Sequence, residues 1–176
     1  MTTRAPAAGP AATDVRWLDP AEQQAWRTFL DATRLLYAAL DHQLQTDSEL
    51  PHGYYEILVR LSEAPGRGLR MSELADSLLS SRSRLSHAVV RLEERGWVRR
   101  ELCEEDKRGQ IARLTDAGFD ALAAAAPGHV ETVRRHMLDP LTSEQVDQLG
   151  AIFTAIRDSL TGCPTRPTEA GDACGA

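Results

Sequence analysis

Apolar residues recur at helical spacing through most of the chain. Trp26, Leu30, Tyr37, Leu40 and Leu44, with Thr33 filling the gap, step 4, 3, 4, 3, 4, which is a narrow heptad seam rather than a broad globular face. Asp19 before Pro20 is a helix start, an N-cap followed by proline at the first helical position. A second helix is predicted over 51–63, carrying Tyr54, Ile57, Leu58 and Leu61, and Ala64-Pro65-Gly66 ends it. A short helix over 72–79 turns Leu74, Ala75 and Leu78 inward. The next begins after Ser81, with Leu85, Ala88, Val89 and Leu92 as its inner stripe, and ends at Gly96, where glycine accepts the left-handed C-terminal conformation.

The period then changes. Residues 97–102 and 111–114 are short β-prone runs enclosing Glu104-Glu105-Asp106-Lys107-Arg108-Gly109, a hairpin with a charged tip. Thr115 caps another helix bearing Phe119, Leu122, Ala126, Val130, Val133 and Met137, which Pro127-Gly128 is predicted to kink or break. A last helix starts at Thr142, with Gln145 three residues on, and its Val146, Leu149, Phe153, Ile156 and Leu160 form a second narrow seam. Residues 1–16 and 162–176 show no period and read as a disordered arm and tail.

Composition alone argues against a nucleic-acid partner: 20 basic residues face 26 acidic ones, a net charge of −6. The distribution reverses that inference. Residues 67–113 hold 11 basic and 8 acidic side chains, a local +3, which leaves the rest at −9. Counterion release from DNA is a local effect, screened over roughly 8–10 Å, so a basic module between acidic flanks suffices. No apolar run reaches the length of a membrane span, and the N-terminus lacks a charged-then-apolar secretory pattern. Cys103, Cys163 and Cys174 are too few for a disulfide scaffold. The expectation is a soluble cytoplasmic protein with no cofactor.

A helix, a tight turn, a second helix with arginines on its outer face and then a charged hairpin describe a winged helix-turn-helix. At 100° per residue, Leu85, Val89 and Leu92 face the core. Ser83, Ser86, His87 and Val90 point nearly opposite, with Arg84 and Arg91 on one flank. Such a helix fits a major groove ~12 Å wide, where short polar side chains reach base edges and arginines grip phosphate or guanine. The wing tip, with Lys107 and Arg108, reaches toward the neighbouring minor groove or backbone.

The run Leu74-Ala75, Ser81-Arg82-Ser83-Arg84-Leu85-Ser86, Arg91-Leu92-Glu93, Gly96-Trp97-Val98-Arg99-Arg100, Asp106-Lys107-Arg108-Gly109 and Leu114-Thr115-Asp116-Ala117-Gly118 resembles the MarR (multiple antibiotic resistance regulator) family of bacterial transcription factors. The resemblance covers about 20–161. It implies a mainly α fold: a winged helix-turn-helix lobe with a two-stranded β wing over about 51–115, flanked by dimerisation helices over about 20–46 and 116–161 within a domain of 17–161. It implies that Arg108 enters the minor groove, with Asp106 orienting an arginine of the same hairpin and Lys107 beside them. It further implies that Ser83, Ser86 and His87 face bases and that Arg82, Arg84 and Arg91 hold phosphates or base edges. Ser86 stands where the family often has threonine. His87 replaces a frequent arginine by a group that titrates near neutrality. Interlaced outer helices in a homodimer would account for both seams and predict a pseudo-palindromic DNA site.

In relatives, a crevice between the dimerisation helices and the DNA lobe takes aromatic or phenolic anions. Arg34, Tyr37, His52, Tyr54 and Tyr55 are the candidates for it here, and the implied activity is repression relieved by a small-molecule effector. The alternatives are a regulator sensing oxidants through Cys103, whose acidic neighbours disfavour the thiolate, and a winged-helix assembly module without DNA. His129 and His136, seven apart, read as a solvated face. No metal set, nucleophile elbow or glycine-rich phosphate loop is present, so neither a metal nor enzymatic turnover is expected.

Overall fold

A computed structural model of the chain describes residues 15–103 and 109–162. Outside them lie Asp106, Lys107 and Arg108 of the expected wing tip, Cys163, Cys174, and nearly all of the expected arm and tail. The chain divides into two units, Met1–Tyr37 and Ala38–Ala176, and the first helix, α1 (Pro20–Ser48), contributes to both.

In the first unit α1 begins where the sequence places it. The Glu22 N–H donates to Asp19 Oδ1 at 2.8 Å and the Asp19 N–H donates to Glu22 Oε2 at 2.9 Å, a reciprocal cap that satisfies two of the helix's orphan donors. Trp26 and Phe29 stack with ring centroids 5.9 Å apart. Trp26 and Tyr37 are nevertheless each 52% exposed, so these members of the seam predicted on this stretch are not buried within the unit.

The second unit holds the core. Here α1 buries Leu40 and Leu44, and α2 (His52–Glu63) buries Tyr55, Ile57, Leu58 and Leu61. Tyr55, not Tyr54, is the buried tyrosine. A 3₁₀ turn at Pro65–Arg67 leads into β1 (Gly68–Arg70), α3 (Met71–Ser77), α4 (Arg82–Glu94), β2 (Val98–Leu102), β3 (Gln110–Leu114), α5 (Asp116–Val133) and α6 (Ser143–Thr161). Leu50, Leu74, Ala75, Leu85, Val89, Leu92, Val98, Ala112, Leu114, Leu122 and Ala125 complete the cluster. The inward stripes read from α3 and α4 are therefore in place, apart from Leu78 and Ala88, which are only half-buried.

The ends of α4 are chemically defined. The Ser81 hydroxyl accepts from the Arg84 N–H at 3.3 Å. At the other end Gly96, at φ +72°, donates to Glu93 O at 2.8 Å while Trp97 N–H reaches Leu92 O at 3.0 Å. This is the double closure that a left-handed glycine permits.

The wing hairpin gains a third strand. The sheet order is β1-β3-β2, antiparallel throughout, with Arg70 opposite Ile111 and Leu102 opposite Gln110. Three residues led by a glycine carry too little alternation to be read as a strand, and only pairing with the free edge of β3 defines it. Pro127 does not break the helix: α5 runs through it to Val133, and the helical pattern changes only at Arg134–Leu138, a π-helical turn. Packing outweighs the missing proline N–H: Leu122, Ala125 and Thr132 are buried on either side of it. At Gly128 a Cβ would lie 2.6 Å from Nε2 of Gln43 on α1, the end of a flexible side chain that would have to swing aside.

Candidate nucleic-acid interface

The second helix of the helix-turn-helix, α4, buries Leu85, Val89 and Leu92 and exposes Arg82, Ser83, Arg84, His87 and Arg91, with Ser86 half-buried. The structure thus brings six of the nine sequence-derived DNA-binding residues onto one outward face. The other three fall in the wing segment outside the described residues. That segment springs from a closed base, where Cys103 N–H donates to Gly109 O at 2.9 Å. Cys103 itself is buried at 6% exposure.

The arginines around this face are not equivalent. Arg91 pairs with Glu94 at 2.8 Å, Arg100 with Glu93 at 2.6 Å, and Arg99 and Arg113 share Glu101 at 2.7 and 3.0 Å. The hydrogen bond from Arg113, followed by that from Arg99, holds the Glu101 carboxyl below the usual carboxylate range. Arg95 donates to the Glu49 carbonyl at 2.9 Å and lies 4.9 Å over the Trp97 ring, tying the end of α4 to the α1–α2 connection. Among the described residues Arg82 and Arg84 have no carboxylate partner. The basic stripe therefore resolves into a structural set, neutralised inside the fold, and a pair at the start of α4 whose charge faces outward. Residue counting could not make this division, because it depends on cross-strand register and helix ends.

Of the expected effector residues, Arg34 and Tyr37 belong to the first unit and His52, Tyr54 and Tyr55 to the second. Arg34 is exposed beside Asp31 at 3.8 Å, and Tyr37 is exposed on the same unit. His52 and Tyr55 border a hollow of about 300 Å³ with Glu56, Arg60 and His129. Tyr54 opens instead on hollows shared with α4, beside Arg84 and Ala88.

His129, read from the sequence as part of a solvated face, packs against Tyr55 with centroids 4.4 Å apart and lies 5.8 Å from His52. His129 Nδ1 and Gln43 Oε1 are buried with no hydrogen-bond partner among the described residues. Burial, reinforced by His52, pushes the His129 imidazole below its ordinary value. The folded protein therefore holds His129 neutral while the unfolded chain titrates near 6.5. Its contribution to stability is complete above about pH 6.5 and is lost as pH falls toward the lower folded value. Urea midpoints at pH 7.5 and 5.5 should differ more for the wild type than for His129→Gln; equal differences would remove His129 from the pH response.

Among the described residues no helix is long and apolar enough to cross a membrane, and no cluster of three or more His, Cys, Asp or Glu side chains could hold a metal.

Comparison with known proteins follows the same outline. Residues 48–109 match the model of the MarR family, a stretch that runs from the end of α1 to the base of the wing. Sco3205 of Streptomyces coelicolor, a MarR family transcriptional regulator solved in complex with DNA, is 51% identical, covering 90% of this chain and 97% of that one with a TM-score of 0.79. AbsC, a MarR family transcriptional regulator of the same organism, is 45% identical over 84% of this chain and 99% of that one, again with a TM-score of 0.79. The HTH-type transcriptional regulator PecS of Dickeya dadantii is 33% identical over 89 residues, which are 51% of this chain and about half, 53%, of that one. The two Streptomyces structures match it along nearly their whole length, outer helices included, and by these likenesses the chain belongs to the MarR family of transcriptional regulators.

Proposed function

We propose that this regulator is a sequence-specific DNA-binding repressor acting as a homodimer in the cytoplasm. The observation that carries the reading is the outer face of α4, where Arg82 and Arg84 have no carboxylate partner among the described residues and Ser83 and His87 stand exposed between them and Arg91. In a major groove the Ser83 hydroxyl and the His87 imidazole meet base edges, while the arginines hold phosphate or guanine. Asp106, Lys107 and Arg108 complete the contact from the wing. That Sco3205 was solved in complex with DNA supports the same use of this fold.

In this layout 51–115 forms the DNA lobe, and 20–46 and 116–161 are dimerisation helices. Two copies related by a twofold axis would set their recognition helices about one DNA turn apart on a pseudo-palindromic operator. A small aromatic or phenolic molecule lodged near His52 and Tyr55 would alter that separation, and binding would weaken to the extent that the ligand prefers the altered state.

Selection of genomic fragments by the purified protein tests the reading. Enrichment of one inverted repeat is the expected result, and Arg84→Ala should weaken binding to it roughly ten- to hundredfold. Retention of all fragments alike, or of none at low salt, would overturn it.

A further inference from the structure

A single carboxylate fastens the recognition helix to the wing. In the sheet order β1-β3-β2, β2 is the outer strand. Thr115 N–H donates to Trp97 O and Cys103 N–H to Gly109 O. With Val98 opposite Leu114 and Arg100 opposite Ala112, the odd-numbered residues of β2 share the ladder bonds with β3, and the Arg100 N–H points away from it. An outer edge of this kind needs a cover, and Glu93, in the last turn of α4, supplies it. Glu93 Oε1 accepts from the Arg100 backbone N–H at 2.9 Å. Its Oε2 accepts from Arg100 Nε at 2.8 Å and lies 2.6 Å from Nη2. Both oxygens of one side chain are thereby engaged by a single residue of the wing. The Glu93 and Arg100 side chains are 27% and 28% exposed, against 55% and 66% for Glu94 and Arg91 nearby. An exposed pair of the latter kind adds little rigidity, whereas a sheltered one with both oxygens bonded resists opening.

We propose that Glu93 is a positioning residue of the DNA interface: it holds the wing at a fixed angle to the recognition helix, so that the contacts of the two form together. The proposal rests on the DNA-binding reading and adds to it a side chain that touches no DNA. At 100° per residue Arg84 and Arg91 lie nearly opposite Glu93 on α4, so the carboxylate faces the sheet while they face outward. A carboxylate in a basic module repels phosphate, and charge alone gives it no place there. Paired with Arg100 it is neutralised, and what it contributes is geometry. Arg95 fastens the same end of α4 to the α1–α2 connection through the Glu49 carbonyl, so β2 is held against a helix end that is itself fixed. A wing loose from α4 would have to be ordered when DNA binds, which weakens association; a clamp already closed in the free protein removes that cost. The benefit falls on the matched sequence. Base edges are met only at one angle of the helix and wing, whereas binding held by phosphates alone tolerates many.

The test measures affinity of the full chain for the duplex that the wild type selects and for a scrambled duplex of equal composition, where urea titration shows each protein folded. Glu93→Gln removes a negative charge and Arg100→Gln a positive one. As changes of charge alone they should shift binding to both duplexes in opposite directions. As two ways of opening one clamp, each should lower the preference for the selected duplex by about tenfold, the middle of the range for coupled contacts. The double variant should lose no more than either single one. Arg100→Lys, which keeps the charge and loses the fork, should retain part of the preference. Arg108→Ala should weaken binding to the selected duplex in the wild type and have a clearly smaller effect in Glu93→Gln, because a loose wing has less contact to lose.

An unchanged preference in either folded single variant would overturn the clamp. So would shifts of opposite sign on both duplexes, which charge alone explains, or an equal loss on both, which marks a plain effect on stability. Equal effects of Arg108→Ala in the two backgrounds, or none in either, would show that Glu93 does not couple wing to helix, and would overturn it as well. If Glu93→Gln does not fold, Arg100→Gln decides by the same comparison. A wild type that selects no duplex would instead bring down the sequence-specific reading itself, whereas the clamp fails with the wild-type preference intact.

Discussion

Gly118→Ala should destabilise the protein by about 3 kcal/mol or more, at the upper end of what overpacking a filled site costs. A Cβ at this position would stand 2.1 Å from the Trp97 carbonyl oxygen and 2.8 Å from Leu114 Cδ1. The first of these is backbone, so no rotamer change relieves it, and either α5 or the start of β2 must move. Both are pinned. Thr115 N–H donates to Trp97 O at 3.0 Å, the Thr115 hydroxyl donates to Gly96 O at 2.7 Å, and Thr115 Oγ1 accepts from the Gly118 N–H at 3.0 Å. One threonine thus caps α5 and clamps that cap onto the turn that ends the recognition helix, and glycine three residues later is what allows the approach. This is a physical account of why Leu114-Thr115-Asp116-Ala117-Gly118 occurs as a unit. Urea unfolding of Gly118→Ala checks it, with Thr115→Val, which keeps the shape and loses the bonds, as a comparison expected to cost about 1–2 kcal/mol. A loss below about 1 kcal/mol for Gly118→Ala would mean that α5 slides freely on the turn.

Periodicity located the helices of this fold because each buries one stripe whose spacing survives in the sequence. Leu85, Val89 and Leu92 are the clearest case, and Ser81, Gly96, Thr115 and Thr142 mark helix ends by chemistry that acts within four residues. What stayed hidden depends on partners distant in the chain. β1 exists only because β3 offers an edge. Pro127 is accommodated because residues on either side of it are buried. His129 looked solvated because nothing in its own helix discloses that Tyr55 covers it. Of the candidate site, the outward face of α4 was legible, whereas the division of its arginines between outward and structural roles was not. That division turns on Glu93, Glu94 and Glu101, which a charge count treats as simple negatives. Once they are assigned, a local charge of +3 understates the field at the start of α4 and overstates it near the strands.

Ile156→Glu should produce a folded monomer whose affinity for the inverted repeat is lower by about a hundredfold or more. α6 contributes no buried residue to its own protomer, and Ile152, Ile156 and Leu160 are 56%, 46% and 82% exposed. An apolar stripe of this kind on a helix closed at its start by the Thr142–Gln145 capping box is not a fraying end. Contiguous apolar surface left open on a soluble chain marks an interaction site, and a second copy is the partner that the seam spacing suits. A charge there costs little in the isolated chain, since the residue already meets water, but in a dimer it would be buried without a partner. Linked half-sites gain on the order of 10²–10⁴ in avidity from being bound by one rigid pair, and loss of the pair forfeits that gain. Sedimentation velocity should give the mass of one chain for Ile156→Glu and of two for the wild type. Anisotropy titrations should show the variant binding the full repeat no better than a half-site, with Ile156→Val close to wild type. A dimeric Ile156→Glu with full affinity would place the interface elsewhere and leave the exposed stripe of α6 for a different partner.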